Sequence, residues 1–292
     1  MMNAMSVELN CDYELHRVTS RPIEAIARSV RIDPRIPKIV PGFDAPFFQA
    51  GLAGYSDGAM RLIARRHGCP YCITEALLDR TLISGGKGRR KEDPDLLKRE
   101  LSAPLSPRIC RGEDATVELL PGEELGDPEE NRIADVVFRG RGLHDHPIAG
   151  QIMGTTPGEM AGAAALLVQM NYDVVDVNLA CPVKKMRKAN RGGHCLTDPE
   201  QSIAILKAVR DAVPAHVPCT VKLRRAFDDT PEMAANFERI FNAAYHMGYA
   251  WATVHCRTVV QKYLGPGRWE FLTDLVARNP DRIIFGSGDV WG

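Results

Sequence analysis

Three times in the second half of the chain, an apolar run gives way to a hydroxyl or carboxyl residue, a proline and a glutamate. The segments are Thr156-Pro157-Gly158-Glu159, Asp198-Pro199-Glu200-Gln201 and Thr230-Pro231-Glu232. Each reads as a helix start of the capping-box kind. The first side chain accepts from free N–H groups, the proline sits where no N–H bond is lost, and the acid faces the positive helix end. Apolar residues then recur at helical spacing: Met160, Ala163, Ala164, Leu167 and Met170; Ile203, Leu206 and Val209; Met233, Phe237, Ile240 and Phe241. Between these helices lie short apolar runs. The strand candidates are 46–52, 71–75, 148–153, 173–179, 218–224, 251–256 and 282–286. Strand and capped helix in alternation require parallel strands joined by crossover helices.

The strands also alternate within themselves. Asp176 and Asn178 share one parity and Val175, Val177 and Leu179 the other. Thr220 and Lys222 oppose Val221 and Leu223, Thr253 and His255 oppose Ala252 and Val254, and Gln151 opposes Ile152. Successive strand side chains point to opposite faces, so each strand turns a polar row one way and an apolar row the other. A doubly wound open sheet is apolar on both faces and accounts for this poorly. The pattern predicts a TIM (β/α)8-type barrel, with helices on the apolar face and polar residues lining the inner mouth. Seven strands are visible and the sequence reaches Gly292 directly after the seventh, so the barrel reads as incomplete. The expected organisation is an N-terminal extension over 1–44 and a barrel domain over 45–292. A charged, Gly- and Pro-rich insertion at about 85–146 follows the second strand.

With 45% hydrophobic and 25% charged residues the chain can bury a core, which excludes global disorder. Its 37 basic and 37 acidic residues cancel, so any binding of a polyanion must come from local asymmetry. No apolar run reaches the roughly 18–20 residues of a membrane span, and no signal-peptide pattern opens the chain. The expected location is cytoplasmic, with the eight cysteines as reduced thiols.

Chemistry concentrates after the fourth strand candidate. There, Asn178-Leu179-Ala180-Cys181-Pro182-Val183-Lys184-Lys185 places a thiol at a strand's C-terminal end, where barrel enzymes keep reactive groups. Lys184, Lys185, Arg187, Lys188 and Arg191 follow with no acid among them. A lone cysteine is most often a small buried hydrophobe and a charge run a solvated face. Their shared position at the mouth argues for function. This segment resembles the signature of the tRNA-dihydrouridine synthases, flavin enzymes that reduce uridine in transfer RNA. The likeness continues in Ala50-Gly51-Leu52-Ala53-Gly54-Tyr55-Ser56-Asp57, Thr74-Glu75 and Gly150-Gln151-Ile152-Met153-Gly154. It extends through Thr220-Val221-Lys222-Leu223-Arg224, Thr253-Val254-His255-Cys256-Arg257-Thr258 with Gln261-Lys262-Tyr263, and Gly286-Ser287-Gly288-Asp289. The departures are Gly51 for a proline, Ala180 and Cys256 for glycines, and Ser287 for an asparagine. The family's phosphate loop after the eighth strand and its C-terminal helical domain have no counterpart within these residues.

The resemblance implies an FMN-dependent reduction of the uracil double bond in tRNA, with NADPH as electron donor. Cys181 would be the proton donor, because a thiol of ordinary pKa near 8.5 is mostly protonated at neutral pH. Flavin would be held by Gly51, Leu52, Ala53, Gln151, Lys222, His255, Ser287, Gly288 and Asp289. Asn178 would position a uracil flipped from its stack, and Lys184, Lys185 and Arg187 would meet RNA phosphate. No metal, membrane or obligate protein partner is expected.

Rival readings exist. Cys69-Pro70-Tyr71-Cys72 resembles a glutaredoxin-type redox pair, but it follows a helix instead of opening one, so no helix dipole acidifies the first thiol. His67, His194 and His144-Asp145-His146 with the cysteines lack zinc-site spacing. Gly286-Ser287-Gly288-Asp289 resembles a nucleotide-binding turn without the following helix. An inactive barrel fragment, an RNA-binding module and another FMN-dependent barrel reductase are the alternative functions.

Overall fold

The computed structural model describes residues 30–83, 145–183 and 190–289. Most of the 85–146 insertion, together with Lys184, Lys185 and Arg187, therefore lies outside the described residues.

Among the described residues, seven parallel strands form one curled sheet: β1 (Cys72–Ile73), β2 (Leu77–Leu78), β3 (Ile148–Met153), β4 (Val174–Leu179), β5 (Cys219–Arg224), β6 (Trp251–His255) and β7 (Ile284–Ser287). The order is β1-β3-β4-β5-β6-β7, with β2 also on β3, and every pairing is parallel. The helices are α1 (Ile36–Ile39), α2 (Gly58–Arg66), α3 (Asp79–Ile83), α4 (Pro157–Gln169), α5 (Pro199–Ala212), α6 (Pro231–His246) and α7 (Trp269–Arg278). This is an incomplete α/β barrel of the kind the alternation predicts.

Two of the expected strands take a different form. The run 46–52 pairs only through a single bridge, Gln49 to Cys72, because residues from Ala50 onward turn into a loop. Leu52 N–H donates to Ser56 Oγ at 2.6 Å and Gly54 N–H to Glu75 Oε2 at 2.7 Å, which folds that loop onto the end of the next segment. The run 71–75 shortens to β1, and the chain rejoins β3 as β2 after three residues, Thr74 to Ala76.

The helix starts behave as proline-led caps with one variation. Asp198 accepts from Gln201 N–H and Thr230 from Met233 N–H. Thr156 makes no cap bond to the backbone; its hydroxyl engages the Glu159 carboxylate instead.

The two strand faces build two cores. Ile152, Val175, Val177, Leu179, Val221, Leu223, Ala252 and Val254 pack outward against α4, α5 and α6. At the N-terminal end of the inner face, Ala149, Val174 and Trp251 meet Ile36, Val40, Phe43, Tyr71 and Ile73. Phe43 is stacked between Tyr71 (centroids 4.6 Å apart) and Phe285 (5.6 Å), with Trp251 edge-on at 6.0 Å. This aromatic floor closes one end of the interior, leaving the polar row above it facing the C-terminal mouth.

Candidate active site

The inner row of polar side chains forms a continuous hydrogen-bonded chain across three strands. Thr220 Oγ1 donates to Asp176 Oδ1 (2.5 Å), and Gln151 Nε2 donates to Asp176 Oδ2 (2.7 Å). Asn178 Nδ2 donates to Gln151 Oε1 (2.7 Å). Asn178 Oδ1 in turn accepts from the backbone N–H groups of Ala180 (2.9 Å) and Cys181 (3.1 Å). Every direction is fixed, because a carboxylate that only accepts stands at one end and two backbone donors stand at the other. Burial pushes the Asp176 carboxyl up, against the hydrogen bonds of Thr220 and Gln151 and the charge of Lys222.

The strand end thus presents Cys181 on a braced loop. Its thiol is partly exposed. From the other side, Gly193 N–H donates to Cys181 O at 3.0 Å. Gly192, at φ 58°, approaches so closely that a Cβ there would lie 2.7 Å from Cys181 Cβ. Buried Arg224 donates to Ala180 O (3.0 Å), Thr258 O (2.7 Å) and Lys262 O (2.7 Å), tying the loop after β4 to the loop after β6. Burial lowers the Arg224 pKa to about 10, which leaves it charged at neutral pH.

Lys222 lies beside Asn178 in register. Among the described residues its ammonium has no hydrogen-bond or ion-pair partner. Burial lowers its pKa against the attraction of Asp176, with Arg224 adding to the depression. Lys222 is half-buried, and a partly desolvated cation without a hydrogen-bonded counter-charge is costly. An anionic or strongly accepting ligand above the row would relieve it. His255, at the end of β6, has its pKa lowered to about 4 by burial and then by Arg224, Lys222 and Arg257. The imidazole is therefore neutral at pH 7. Its Nδ1 accepts from Arg257 N–H at 3.1 Å, and its ring lies against Gly288, where a Cβ would sit 3.1 Å away.

The remaining sequence-predicted residues surround this row. Gly51 presses on the second segment, with a Cβ there only 2.3 Å from Thr74 O and 3.5 Å from Gln151 Oε1. Leu52 is 49% exposed, beside Ala53 on the same loop. Ser287 pairs in register with His255. Asp289 is ion-paired with Arg257 at 2.5 Å and accepts Gly267 N–H at 2.7 Å. Those bonds hold its carboxyl below the usual range despite burial. Cys181, Gln151, Asn178, Lys222 and His255 thus meet at one mouth. Asp289 is engaged by the protein itself. A cavity of about 370 Å³ between α1, α7 and β7 lies at the opposite, floor end of the sheet.

A family model described as dihydrouridine synthase matches residues 49–292. The chain belongs to the dihydrouridine synthase family. It is 36% identical over 148 residues to the tRNA-dihydrouridine(16) synthase of Pseudomonas putida, covering 50% of this chain and 43% of that protein. The corresponding protein of Shewanella oneidensis is 32% identical over 145 residues, covering 50% and 44%. A probable tRNA-dihydrouridine synthase of Treponema pallidum is 33% identical over 157 residues, covering 51% and 45%. The chain spans about half the length of the curated relatives it matches.

Within this family member, three structural contributors escaped the sequence reading of the site. Asp176 and Thr220 anchor the hydrogen-bonded chain, and Arg224 holds the Cys181 loop. Parity alone marks Asp176 and Thr220 as inward polar residues. Nothing local in the sequence reveals that Arg224 spends its donors on three backbone carbonyls.

Proposed function

We propose that this chain acts as a tRNA-dihydrouridine synthase, in which FMN would be held at the mouth by Lys222, His255 and the Gly51 and Gly288 backbone, and Cys181 supplies the proton for reduction of the uracil 5,6 double bond. NADPH serves as electron donor. The observation that carries the reading is Lys222. This half-buried lysine, whose ammonium has no hydrogen-bond or ion-pair partner among the described residues, sits in register with Asn178, which positions the Cys181 loop. The residues present fit a flavin. Lys222 offers a cation to the electron-rich edge of the ring, and the neutral imidazole of His255 offers a donor at Nε2. Gly51 and Gly288 keep backbone close to the row. The relatives' printed names support the substrate class.

When bound, the flavin supplies hydride to one carbon of the uracil ring. The protein's part is placement and proton delivery. Asn178 holds the backbone of residues 180 and 181 so that the thiol is carried at the strand's end. Arg224 and Gly193 prevent that loop from swinging, and the aromatic floor excludes water from below. Cys181 would give its S–H proton to the neighbouring carbon, with Lys222 and Arg224 as the cations that interact with the sulfur. The basic run containing Lys184, Lys185 and Arg187 meets tRNA phosphate in this reading.

The test uses the full chain with FMN, NADPH and unmodified tRNA. Dihydrouridine is detected by mass spectrometry of the digested RNA, and flavin retention by absorbance. Cys181→Ala is expected to abolish product while retaining flavin. Unchanged turnover in that variant, or a wild-type chain that binds tRNA but never flavin, refutes the proposal.

A further inference from the structure

The motif Cys69-Pro70-Tyr71-Cys72 has no part in the mouth. It runs from the turn after α2 into the first residue of β1, at the floor end of the sheet, and the chemistry above makes no use of it. We propose that Cys69 and Cys72 form a thiol–disulfide exchange site, with Cys69 attacking a small organic disulfide and Cys72 resolving the product.

The fold of the turn sets both cysteines on the short segment that leads from α2 into β1. Helix α2 ends at Arg66, and Gly68 at φ 84° reverses the chain. Cys69 N–H then closes onto Ala64 O at 3.0 Å. Pro70 stiffens the two-residue spacer; Cys69 Sγ donates to Tyr71 O at 3.1 Å and Cys72 Sγ lies 4.0 Å from Arg61 O, with the two thiols near enough to shift each other's ionisation. They are unequal: Cys69 is partly exposed, whereas Cys72 is fully buried. An attacking thiol needs access and a resolving thiol needs shelter, so the asymmetry fits the two roles.

The charge environment agrees. Arg65 reaches over the turn and donates to Pro70 O (2.8 Å), Pro147 O (2.6 Å) and Asp145 O (3.3 Å). All are carbonyl oxygens, and among the described residues no carboxylate pairs with this guanidinium. The Cys72 thiol, the Tyr71 and Gln49 backbone and Arg65 together lower the Cys69 pKa to about 6, overcoming its desolvation, while the same contact raises Cys72. Among the described residues, no helix N-terminus lies behind the motif. In the structure, Cys72, backbone groups and Arg65 stabilise the thiolate instead.

The exchange balances. Cys69 thiolate bonds to one sulfur of the small disulfide and expels the other as thiolate. Cys72 then loses its proton and attacks the Cys69 sulfur, releasing the second small thiol and leaving a Cys69–Cys72 disulfide. Two protein thiols are oxidised by two electrons and one small disulfide is reduced to two thiols. Once Cys69 is capped it ceases to be the thiolate that raises Cys72, so the resolving step is easier than the resting state implies.

The probe is oxidised glutathione, applied to the full chain and followed by intact mass and peptide mapping. The wild-type chain is expected to lose two of its eight thiols, retain no glutathione and yield a linked 69–72 peptide. Cys72→Ser should trap glutathione on Cys69, and Cys69→Ser should leave Cys72 unreacted. Without any variant, iodoacetamide at pH 6 should label Cys69 about tenfold faster than an ordinary cysteine. That factor combines a thiolate fraction roughly 150-fold higher with the lower intrinsic nucleophilicity of an acidic thiol. Labelling of Cys69 no faster than free cysteine, or a wild-type mixed disulfide that never resolves, overturns the proposal. Neither readout depends on flavin or RNA.

Discussion

Asn178→Ala is the sharpest probe of the site, because one side chain serves three partners. Its removal strips the acceptor from Ala180 N–H and Cys181 N–H and the donor from Gln151 Oε1. Cys181 is partly exposed, so water can replace its lost bond. Ala180 is 5% exposed and Gln151 1%, so their groups become buried orphans. At about 1–3 kcal/mol for each unsatisfied group, the raw cost is about 2–6 kcal/mol. Water entering the vacated space at the mouth recovers part of this, and we expect a net loss of about 2–4 kcal/mol. Urea denaturation followed by tryptophan fluorescence measures it. Cys181 alkylation, followed by peptide mapping, should accelerate as the loop loosens. A loss below about 1 kcal/mol with unaltered Cys181 labelling would show that Asn178 does not organise the loop.

Lys222→Met should raise the stability of the ligand-free protein by about 1 kcal/mol, since a lysine with a depressed folded-state pKa is fully penalised at neutral pH; thermal melts check this, and the same variant should lose flavin binding. His255 is neutral in the fold down to about pH 4 but protonates near 6.5 when unfolded. Stability should therefore fall as pH drops from about 6.5 to 4, by about 1–2 kcal/mol after allowing for its partial exposure. His255→Gln should remove that portion of the pH profile. Gly51→Ala places a methyl 2.3 Å from Thr74 O, a backbone atom that cannot rotate aside. A loss of about 1–3 kcal/mol in urea denaturation is expected, and a neutral result would mean that the loop shifts freely.

The parts of the fold legible in the sequence are those specified by local pattern. Strands β3 to β6 were legible because each is long enough to show alternation and each borders a proline-led helix. The 46–52 run misled because its apolar composition is that of a strand, while side-chain bonds from Ser56 and Glu75 hold its second half as a loop. Strand β2 is two residues long and has no period to read. In the site, parity exposed Gln151, Asn178, Lys222 and His255. The hydrogen-bond direction from Asp176 to Cys181, and the carbonyl clamp of Arg224, require three-dimensional neighbours 25 to 44 residues apart. The floor was illegible for the same reason. Ile36, Val40 and Phe43 carry no signal until Trp251 and Phe285 are placed against them.

That floor also constrains biosynthesis. Phe43 leaves the ribosome some 240 residues before Phe285, yet each stacks on the other. Until the late segment emerges, the nascent sheet is an open trough whose inner row is wet from below as well as above. Contacts this distant in sequence are slow to form and leave apolar surface exposed meanwhile. The growing chain therefore gains that base only once the Phe285 segment has emerged, and nascent Phe43 and Tyr71 lack their late aromatic partners until then.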